Sequence, residues 1–415
     1  MEVIADLHIH GRYSRGCSTS LSFEMLEKYA RIKGIDLLGT GDFSHPEWLE
    51  EIKAKLTEDE SGFLKTKSGF PFVLQNEYSF IYSQGGIGRR VHLCILAPNL
   101  KAVKKINKTM AKIGRLDYDG RPIFGISCEE FVKKMMDISK DIEIFPAHIW
   151  TPWFSLFGSR SGFNSIKECF GSQAKHIHAI ETGLSSDPPM NWRLRQLDNY
   201  TIISASDSHS YWPWRMGREA TIFEMDMTYD SLIDAIRNQK VKETLEVDPA
   251  YGKYHEDGHR KCGVHFTPEE SIRHNNICPV CKRPITIGVM QRVEELADRP
   301  QDYNPGNRPG FRKILPLHEI IAFALEKGIN TKAVWSEYNK LIKNSNENNV
   351  LLKTSEDELL KIISPTIAEA IIKNRTGQIQ VEPGYDGVYG KPHIGKIPEK
   401  PEPKKPTQKG ISEFF

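Results

Sequence analysis

The stretch VIADLHIH, residues 3–10, joins a short apolar run to two histidines that stand two residues apart. An apolar run of this length is typical of a buried β-strand. Side chains repeat every second residue along a strand, so His8 and His10 are expected to point to the same face. Imidazole is a preferred ligand of several transition metals. This stretch therefore predicts a strand that carries metal ligands at its carboxyl end.

The same arrangement recurs through residues 1–247. Further apolar runs occupy residues 35–42, 72–80, 89–97, 142–150, 177–183 and 201–209. Amphipathic segments such as FEMLEKYARIKG, residues 23–34, separate them and predict helices. Alternating strands and helices predict an α/β fold with a largely parallel sheet or barrel. Because polar residues end most of the runs, we expect them to meet at the carboxyl edge of the sheet, where α/β enzymes place their chemistry.

Eight of these polar residues form a candidate metal-binding set. They are His8, His10, His45, Glu77, His92, His148, Asp207 and His209. Six imidazoles and two carboxylates are enough for two or three closely spaced ions, and a carboxylate can bridge two of them. The alternative, a set of unrelated buried histidines, requires that each imidazole finds its own hydrogen-bond partner.

The motifs around these residues resemble, in order, those of the polymerase and histidinol phosphatase (PHP) superfamily. They are ADLHIH at 5–10, GTGDFSH at 39–45, NE at 76–77, VHLC at 91–94, PAH at 146–148 and SDSH at 206–209. The resemblance implies a distorted (β/α)7 barrel with a trinuclear metal centre at the carboxyl ends of its strands. It also implies hydrolysis of a phosphoester by a metal-activated water.

The resemblance further assigns ligands to each ion. The groups are His8, His10, Glu77 and Asp207 for one ion, Glu77, His92 and His148 for a second, and His45 and His209 for a third. The superfamily places an Asp-His pair in the second motif, whereas Asp42 is followed here by Phe-Ser-His, so Asp42 and His45 remain alternatives and His45 is preferred. The expected catalytic residues are Glu77, Asp207 and His209, and Arg12 and Arg15 are candidates for phosphate contacts.

A separate zinc site is predicted from Cys262-x-x-His265 and Cys278-x-x-Cys281. Two short knuckles that supply four ligands are typical of a closed, structural zinc site. The module, residues 248–285, either contacts phosphates through its basic residues or braces the barrel against the C-terminal helical segment. The other four of the seven cysteines are far apart, as expected of a reduced, intracellular protein.

The rest of the chain is predicted to be a helical domain over 286–378 and a flexible linker over 379–407. Residues 356–375 resemble one half of a helix-hairpin-helix motif, which implies a DNA-contacting domain, and an ordinary helical bundle is the alternative. The last eight residues, QKGISEFF at 408–415, resemble the peptide with which replication and repair proteins dock to the sliding clamp (PCNA-like). One 3₁₀ turn would place Ile411, Phe414 and Phe415 on one face, and Gln408 beside them. This ending predicts a sliding-clamp partner.

Barrel, zinc knuckle, helices and clamp peptide in this order resemble an archaeal family of DNA repair endonucleases. The resemblance implies hydrolysis of the phosphodiester 5′ to deaminated bases (uracil, hypoxanthine, xanthine) and abasic sites, leaving a 3′-hydroxyl and a 5′-phosphate. Such an enzyme extracts the damaged base from the stack and holds it against aromatic side chains. The candidates are Trp150, Trp153, Tyr211, Trp212 and Trp214. Zn²⁺ is expected in the knuckle and in the active site, with Mg²⁺ or Mn²⁺ as further activating ions.

Two other functions fit parts of the sequence. A PHP-type phosphatase acting on a small phosphomonoester such as histidinol phosphate would leave the knuckle and the tail unexplained. A noncatalytic clamp-associated scaffold would leave the ligand set unexplained.

The net charge of +2, from 56 basic and 54 acidic residues, implies that DNA binds to a local basic patch and is not attracted by the overall charge. No apolar run approaches the roughly 20 residues that cross a bilayer, so a membrane role is not expected.

Overall fold

The computed structural model of the chain describes residues 1–394. Its strands are β1 Glu2–Asp6, β2 Leu37–Gly39, β3 Thr57–Glu58, β4 Leu64–Lys65, β5 Pro71–Gln84, β6 Ile87–Ala97, β7 Ile123–Phe124, β8 Glu143–Pro146, β9 Ala179–Glu181, β10 Thr201–Ile203, β11 Ala220–Glu224, β12 Val241–Glu246, β13 Asp257–His259, β14 Val264–Phe266, β15 Gly310–Lys313, β16 Ile379–Glu382 and β17 Lys391–Ile394. Its helices are α1 Phe23–Lys33, α2 Pro46–Lys55, α3 Leu100–Met110, α4 Cys128–Ile138, α5 Ile166–Phe170, α6 Pro188–Trp192, α7 Tyr229–Arg237, α8 Pro268–Arg273, α9 Val289–Leu296, α10 Leu317–Ala324, α11 Lys332–Leu341, α12 Glu347–Leu352, α13 Glu356–Leu360 and α14 Pro365–Arg375. The predicted clamp peptide, residues 408–415, lies outside the described residues.

The largest sheet has eleven strands and is mixed. Its main path runs β15-β12-β11-β1-β2-β5-β4-β3, with β6 and β7 on β5 and β8 on β6. The β1–β2 and β2–β5 pairs are parallel, whereas β1–β11 and β5–β6 are antiparallel. Strands β9 and β10 form a separate parallel pair. The predicted α/β class is confirmed, but the sheet is not largely parallel, because the chain reverses directly from β5 to β6 without a crossover helix. The seven-unit barrel stays a prediction.

Both faces of the central sheet are covered, and strand β1 shows how. Val3 and Ala5 are fully buried and belong to one apolar cluster, which also contains residues of α7. Ile4, between them, packs against the other and larger cluster. Alternate side chains of a strand point to opposite faces, so an unbroken apolar run is what a strand covered on both sides requires.

Helix α1 illustrates how local sequence sets the helix boundaries. The Ser22 hydroxyl accepts a hydrogen bond from the Met25 amide, which caps the first turn. Gly34 ends the helix with φ of 88°, in the left-handed region that favours glycine. A Cβ atom at Gly34 would lie 2.5 Å from Asn346 Oδ1, so this helix end also requires glycine for its contact with the C-terminal helices.

The segment predicted to be helical contains α9 to α14, as expected, and also a strand. Helices α10 to α14 enclose their own apolar cluster, which includes Leu317, Tyr338 and Ile371. Strand β15 leaves this segment and pairs in parallel with β12, with Thr244 opposite Phe311. The C-terminal helices are therefore tied to the central sheet by backbone hydrogen bonds.

The linker predicted from residue 379 does not begin there. Strands β16 and β17 pair antiparallel, with Val381 opposite Pro392, so ordered structure continues to residue 394. Proline is compatible with a strand at an edge position, so the Pro- and Gly-rich composition did not reveal this pair of strands.

Within residues 1–394 no helix combines the length and the apolar character that a bilayer span requires.

Candidate metal centre

The two histidines of the opening motif follow strand β1 directly and converge on one carboxylate. His10 Nε2 lies 3.1 Å and His8 Nε2 lies 3.5 Å from Asp207 Oδ1. Between them, Ile9 forms a parallel bridge with Ser208, which brings the end of β1 alongside the segment after β10. The backbone pairing thus places two imidazoles and a carboxylate from opposite ends of residues 1–247 at the same edge.

Glu77 connects these residues to a second pair of histidines. Its Oε2 atom lies 3.6 Å from His8 Nε2 and 3.2 Å from His10 Nε2. Its Oε1 atom lies 2.8 Å from His92 Nδ1 and 3.3 Å from His148 Nε2. Glu77 and His92 stand inside the long β5–β6 hairpin, whereas the sequence had suggested strand ends. Glu77 occupies the central position that a bridging carboxylate requires.

The donor atoms fit divalent metal ions. Each of the groups His8–His10–Glu77–Asp207 and Glu77–His92–His148 offers donor atoms that all lie within 4.8 Å of one another. His8 Nε2 is buried and has no hydrogen-bond partner among residues 1–394. A buried nitrogen without a partner is costly unless a ligand satisfies it. Imidazole and carboxylate together suit Zn, Mn or Fe.

Electrostatic effects keep the carboxylates ionised. Burial alone would raise the pKa of Glu77, but His92, Arg121 and His8 lower it well below its usual value. Burial disfavours the charged form of His10, yet Asp42 and Asp207 raise its pKa well above the usual value. Metal ions would therefore displace protons from the imidazoles on binding.

Two carboxylates orient the first two histidines from behind. Both oxygens of Glu181 lie 3.0 Å from His8 Nδ1, and Asp42 Oδ1 lies 3.1 Å from His10 Nδ1. A carboxylate on the far ring nitrogen fixes the tautomer and directs Nε2 toward a metal. Sequence analysis did not assign Glu181 to this site. The signal was present, because Glu181 ends strand β9 and other site residues also stand at the ends of apolar runs.

Asp42 and His45 differ in the contacts that they make. Besides His10, Asp42 accepts hydrogen bonds from the Gly11 amide at 2.6 Å and the Ser14 hydroxyl at 2.8 Å. The His45 ring stacks on Tyr13 at 4.4 Å, and the described part of the chain holds His45 in neither ligand group. Asp42 also belongs to neither group, so the structure assigns neither residue as a ligand, and the preference for His45 stays a prediction. The contact with His10 gives Asp42 the role of orienting that ligand.

His209 lies at the rim of the centre. Its ring lies 4.3 Å from the His10 ring, and its Nδ1 lies 3.1 Å from the Asp207 carbonyl oxygen. The side chain is 30% exposed, so His209 borders both the buried ligands and solvent. Burial and the neighbouring His10 lower its pKa.

Three site residues have a left-handed backbone conformation. They are Asp42 with φ of 40°, His148 with φ of 31° and Asp207 with φ of 48°. Such conformations are unfavourable for residues other than glycine and persist where surrounding contacts enforce them. Their coincidence at one edge of the sheet supports a functional site there.

The arginines near the centre differ from those expected. Arg12 is paired with Glu51, and Arg15 is 86% exposed with its Nε 3.6 Å from Asp119 Oδ2. Arg121, which sequence analysis did not single out, places Nη1 2.9 Å from Glu77 Oε2. Nothing in the local sequence around Arg121 signals this contact, which depends on how the loop before β7 folds back.

Most of the aromatic side chains that were predicted to contact a base pack against other side chains of the protein. Trp150 is fully buried and donates its indole N–H to Asn191 Oδ1 at 2.8 Å, so the prediction for Trp150 is wrong. Trp212 stacks on Trp214 at 5.1 Å, and the Trp214 ring lies 4.8 Å from the His318 ring of α10.

Tyr211 belongs to the same packing. Its ring lies 4.9 Å from that of Trp212 and 5.3 Å from that of Tyr29 on α1. Tyr211, Trp212 and Trp214 thus join the C-terminal helices to α1. Trp153 is half-buried with its ring 5.3 Å from that of Tyr254.

The cysteine knuckles come together with a different histidine. The group consists of His259, Cys262, Cys278 and Cys281, with Cys281 Sγ 3.4 Å from His259 Nδ1. His265 instead has its Nε2 2.6 Å from Glu256 Oε2 and stacks on Tyr385 at 4.2 Å. The predicted ligand His265 is therefore replaced by His259. Three thiols and one imidazole suit a structural zinc ion.

The C-terminal helices and the sheet both have counterparts in known proteins. A domain family described as the MJ0043 C-terminal domain matches residues 316–378. The uncharacterized protein MJ0043 of Methanocaldococcus jannaschii is 37% identical over 298 residues, which are 70% of this chain and 36% of that protein. The chain thus spans about a third of the length of this curated relative.

Two solved structures match almost the whole chain. The lesion-specific endonuclease PfuEndoQ of Pyrococcus furiosus is 31% identical with a TM-score of 0.85, covering 95% of this chain and 96% of that one. Endonuclease Q in complex with a 27-mer duplex that has an abasic lesion at the active site is 31% identical with a TM-score of 0.86, covering 95% and 97%.

Fold and site together define an α/β protein whose clustered imidazoles, carboxylates and thiols are suited to metal ions. The likeness to the two solved structures over nearly the full length is more specific. The chain belongs to the endonuclease Q family.

Proposed function

We propose that the protein is a metal-dependent DNA repair endonuclease. It hydrolyses the phosphodiester 5′ to deaminated bases (uracil, hypoxanthine, xanthine) and abasic sites, and leaves a 3′-hydroxyl and a 5′-phosphate. The observation that carries the proposal is the match, over 95% of the chain, to endonuclease Q bound to a duplex with an abasic lesion at its active site. The proposal includes a PHP-type barrel in residues 1–247 and an intracellular location.

The donor groups of the metal centre supply the chemistry. We assign His8, His10, Glu77, His92, His148 and Asp207 as ligands, and zinc, with magnesium or manganese as alternatives, as the metal. These residues would hold ions that, when bound, would lower the pKa of a water and stabilise charge on the attacking and leaving oxygens. Glu181 and Asp42 keep His8 and His10 in the tautomer that presents Nε2.

The chain's own residues also handle protons and charge at the rim. The His209 Nδ1–H donates to the Asp207 carbonyl oxygen, which leaves Nε2 free to accept a proton from the nucleophilic water. The lowered pKa of His209 favours this neutral form near pH 7. Arg121 places a fixed positive charge next to Glu77, where it can attract a phosphate oxygen.

The test is incision of a labelled duplex that holds one deoxyuridine, deoxyinosine or abasic site, in the presence of Zn²⁺, Mn²⁺ or Mg²⁺. We expect a single nick on the 5′ side of the lesion. Glu77→Gln should reduce the rate by more than about 100-fold with little change in DNA affinity. The matched control is Glu143→Gln, which changes a buried carboxylate that pairs with His178 and Arg237 away from the metal centre.

One outcome supports the alternative. Release of phosphate from histidinol phosphate, with every lesion-bearing duplex left intact, would replace the endonuclease by a small-molecule phosphatase. The three-thiol group and the C-terminal helices would then need another explanation.

The proposal also includes a sliding-clamp partner that binds Gln408, Ile411, Phe414 and Phe415. Removal of Phe414 and Phe415 should abolish clamp association in a pull-down with purified clamp and leave solution incision unchanged. Retention of the clamp by the truncated chain would refute this part of the proposal and leave the nuclease part standing.

A further inference from the structure

A cleft of about 450 Å³ opens at the end of the β5–β6 hairpin. Its lining includes three arginines, two aromatic residues and a buried serine that suit a ligand. They are Tyr82, Arg89, Arg90, Trp153, Arg160 and Ser161. The cleft thus combines three guanidinium groups, hydroxyls and an indole ring.

The charge of this cleft is not neutralised by the protein. Arg90 and Arg160 are exposed, and within residues 1–394 neither forms an ion pair. Arg90 stands 5.6 Å from the Phe154 ring centroid, and Arg160 donates to the Ile285 carbonyl oxygen at 3.2 Å. Arg89, by contrast, is buried and paired with Glu168 at 2.8 Å. Two free positive charges therefore face one cleft.

Buried donors at the cleft are also without partners. Ser161 Oγ and Arg89 Nε have no hydrogen-bond partner among the described residues. Ser161 is 6% exposed and Arg89 is 7% exposed. Buried polar groups are normally satisfied, so two unsatisfied donors beside two unpaired guanidinium groups favour an oxygen-rich anion as the missing partner.

The cleft adjoins the ligands of the metal centre. The Phe154 ring, below the Arg90 guanidinium, lies 4.8 Å from the His92 ring, and the His92 amide donates to the Phe154 carbonyl oxygen at 3.0 Å. Through its hydrogen bond to Ile285, Arg160 also contacts the segment that follows the cysteines of the thiol module. An anion bound in the cleft would therefore lie between the reacting linkage and the thiol module.

We infer that this cleft binds a phosphate of the DNA strand next to the one that is cleaved. Arg90 and Arg160 hold the phosphate oxygens, and the Ser161 hydroxyl donates to the same group. The inference rests on the proposed function, which supplies the DNA strand, and it adds a positioning site that fixes which linkage meets the metal centre. Guanidinium groups suit this role because their planar donors match phosphate geometry.

The experiment compares Arg90→Ala/Arg160→Ala with the full-length wild-type chain on a fluorescently labelled abasic duplex. Lys104→Ala/Lys105→Ala, which removes two exposed charges from α3, is the matched control. We expect the arginine variant to bind at least about 10-fold more weakly at low salt and to lower the slope of log K against log salt by about 1. The control should change neither quantity by as much, and Arg90→Lys/Arg160→Lys should recover part of the affinity.

Unchanged affinity and salt slope in the arginine variant would overturn the inference even if the wild-type protein nicks the duplex. Failure of the wild-type protein to nick any lesion-bearing duplex would overturn the proposed function. The salt slope of the arginine variant would still decide on the cleft in that case, so the two failures are distinguishable.

Discussion

Lys33 Nζ lies 2.6 Å from Glu347 Oε1, and both side chains are almost fully buried. Lys33 ends α1 against the central sheet, and Glu347 begins α12 in the C-terminal helices. Lys33 Nζ also donates to the Pro213 carbonyl oxygen at 2.9 Å, and Glu347 Oε2 accepts from Tyr338 Oη at 2.8 Å. Each member of the ion pair thus has a further hydrogen-bond partner, and the pair joins the two parts of the molecule.

Removal of one member of this pair should be strongly destabilising. Lys33→Met or Glu347→Gln alone should lower the free energy of unfolding by about 3–5 kcal/mol, because each leaves an uncompensated buried group. The double variant should lose less than the sum of the two, as coupled partners do. Urea denaturation followed by fluorescence measures this, and full additivity in the double variant would contradict the coupling.

Glu181→Gln should weaken metal binding without removing any assigned ligand. We expect a loss of about 10- to 100-fold in metal affinity, because the amide no longer fixes the tautomer of His8. Titration with Zn²⁺ or Mn²⁺ by calorimetry measures the change. Glu143→Gln breaks an equivalent contact, His178 Nδ1 to Glu143 Oε1 at 2.9 Å, away from the centre and should leave metal affinity unaltered. Equal effects of the two variants would argue against the orienting role.

His259→Ala should release the metal ion of the thiol module, whereas His265→Ala should retain it. The reason is that His259 stands with the three cysteines and His265 stands with Glu256. Metal content by elemental analysis checks this, with Cys278→Ser as the reference for complete loss. Loss of zinc in His265→Ala, with zinc kept in His259→Ala, would restore the ligand that the spacing of the sequence suggested.

Stability should depend on pH through two buried carboxyls, Glu219 and Glu246. Burial raises the pKa of Glu219 to about 8, and burial together with Glu219 raises the pKa of Glu246 well above its usual value. The folded protein therefore holds more protons than the unfolded chain between about pH 5 and about pH 8. The free energy of unfolding should fall as the pH rises from about 5 to about 8, by at most about 1.4 kcal/mol per pH unit for each group.

Glu246→Gln should flatten this pH dependence, because the amide resembles the protonated carboxyl that Thr182 and Ser204 contact at 3.0 Å. Glu224→Gln, at an exposed position of β11, should leave it as in the wild-type chain. Melting temperatures recorded across the pH range provide the comparison, and an unaltered slope in Glu246→Gln would remove this carboxyl as the cause.

Local sequence was sufficient to indicate most of the residues that the structure brings together at the candidate metal centre. The two-residue spacing of His8 and His10 follows from strand periodicity, and their convergence on Asp207 agrees with the expectation of a shared edge. Several helices could also be predicted, because α1, α10, α11 and α14 coincide with amphipathic segments of the sequence. These features depend on residues a few positions apart, which periodicity reports directly.

Strand pairing was less accessible to sequence reasoning. Glu77 lies within β5 and opposite Cys94 of β6, in an antiparallel hairpin where a parallel crossover had been expected. An apolar run covered on both faces has no alternation that distinguishes parallel from antiparallel pairing. Strand β15, GFRK at 310–313, was missed for a different reason, because it is short, half-exposed and has no apolar run.

The sequence by itself determined the class of fold, and it indicated the candidate ligands of the metal centre and three of the four members of the thiol group. The sequence analysis named His265 alone, and only the tertiary structure placed His259 with the cysteines, although both histidines lie three positions from Cys262. The tertiary structure also revealed Glu181, which is 173 positions from the His8 that it orients. Such choices depend on where distant segments meet, and neither spacing nor periodicity along the chain encodes the distance between them.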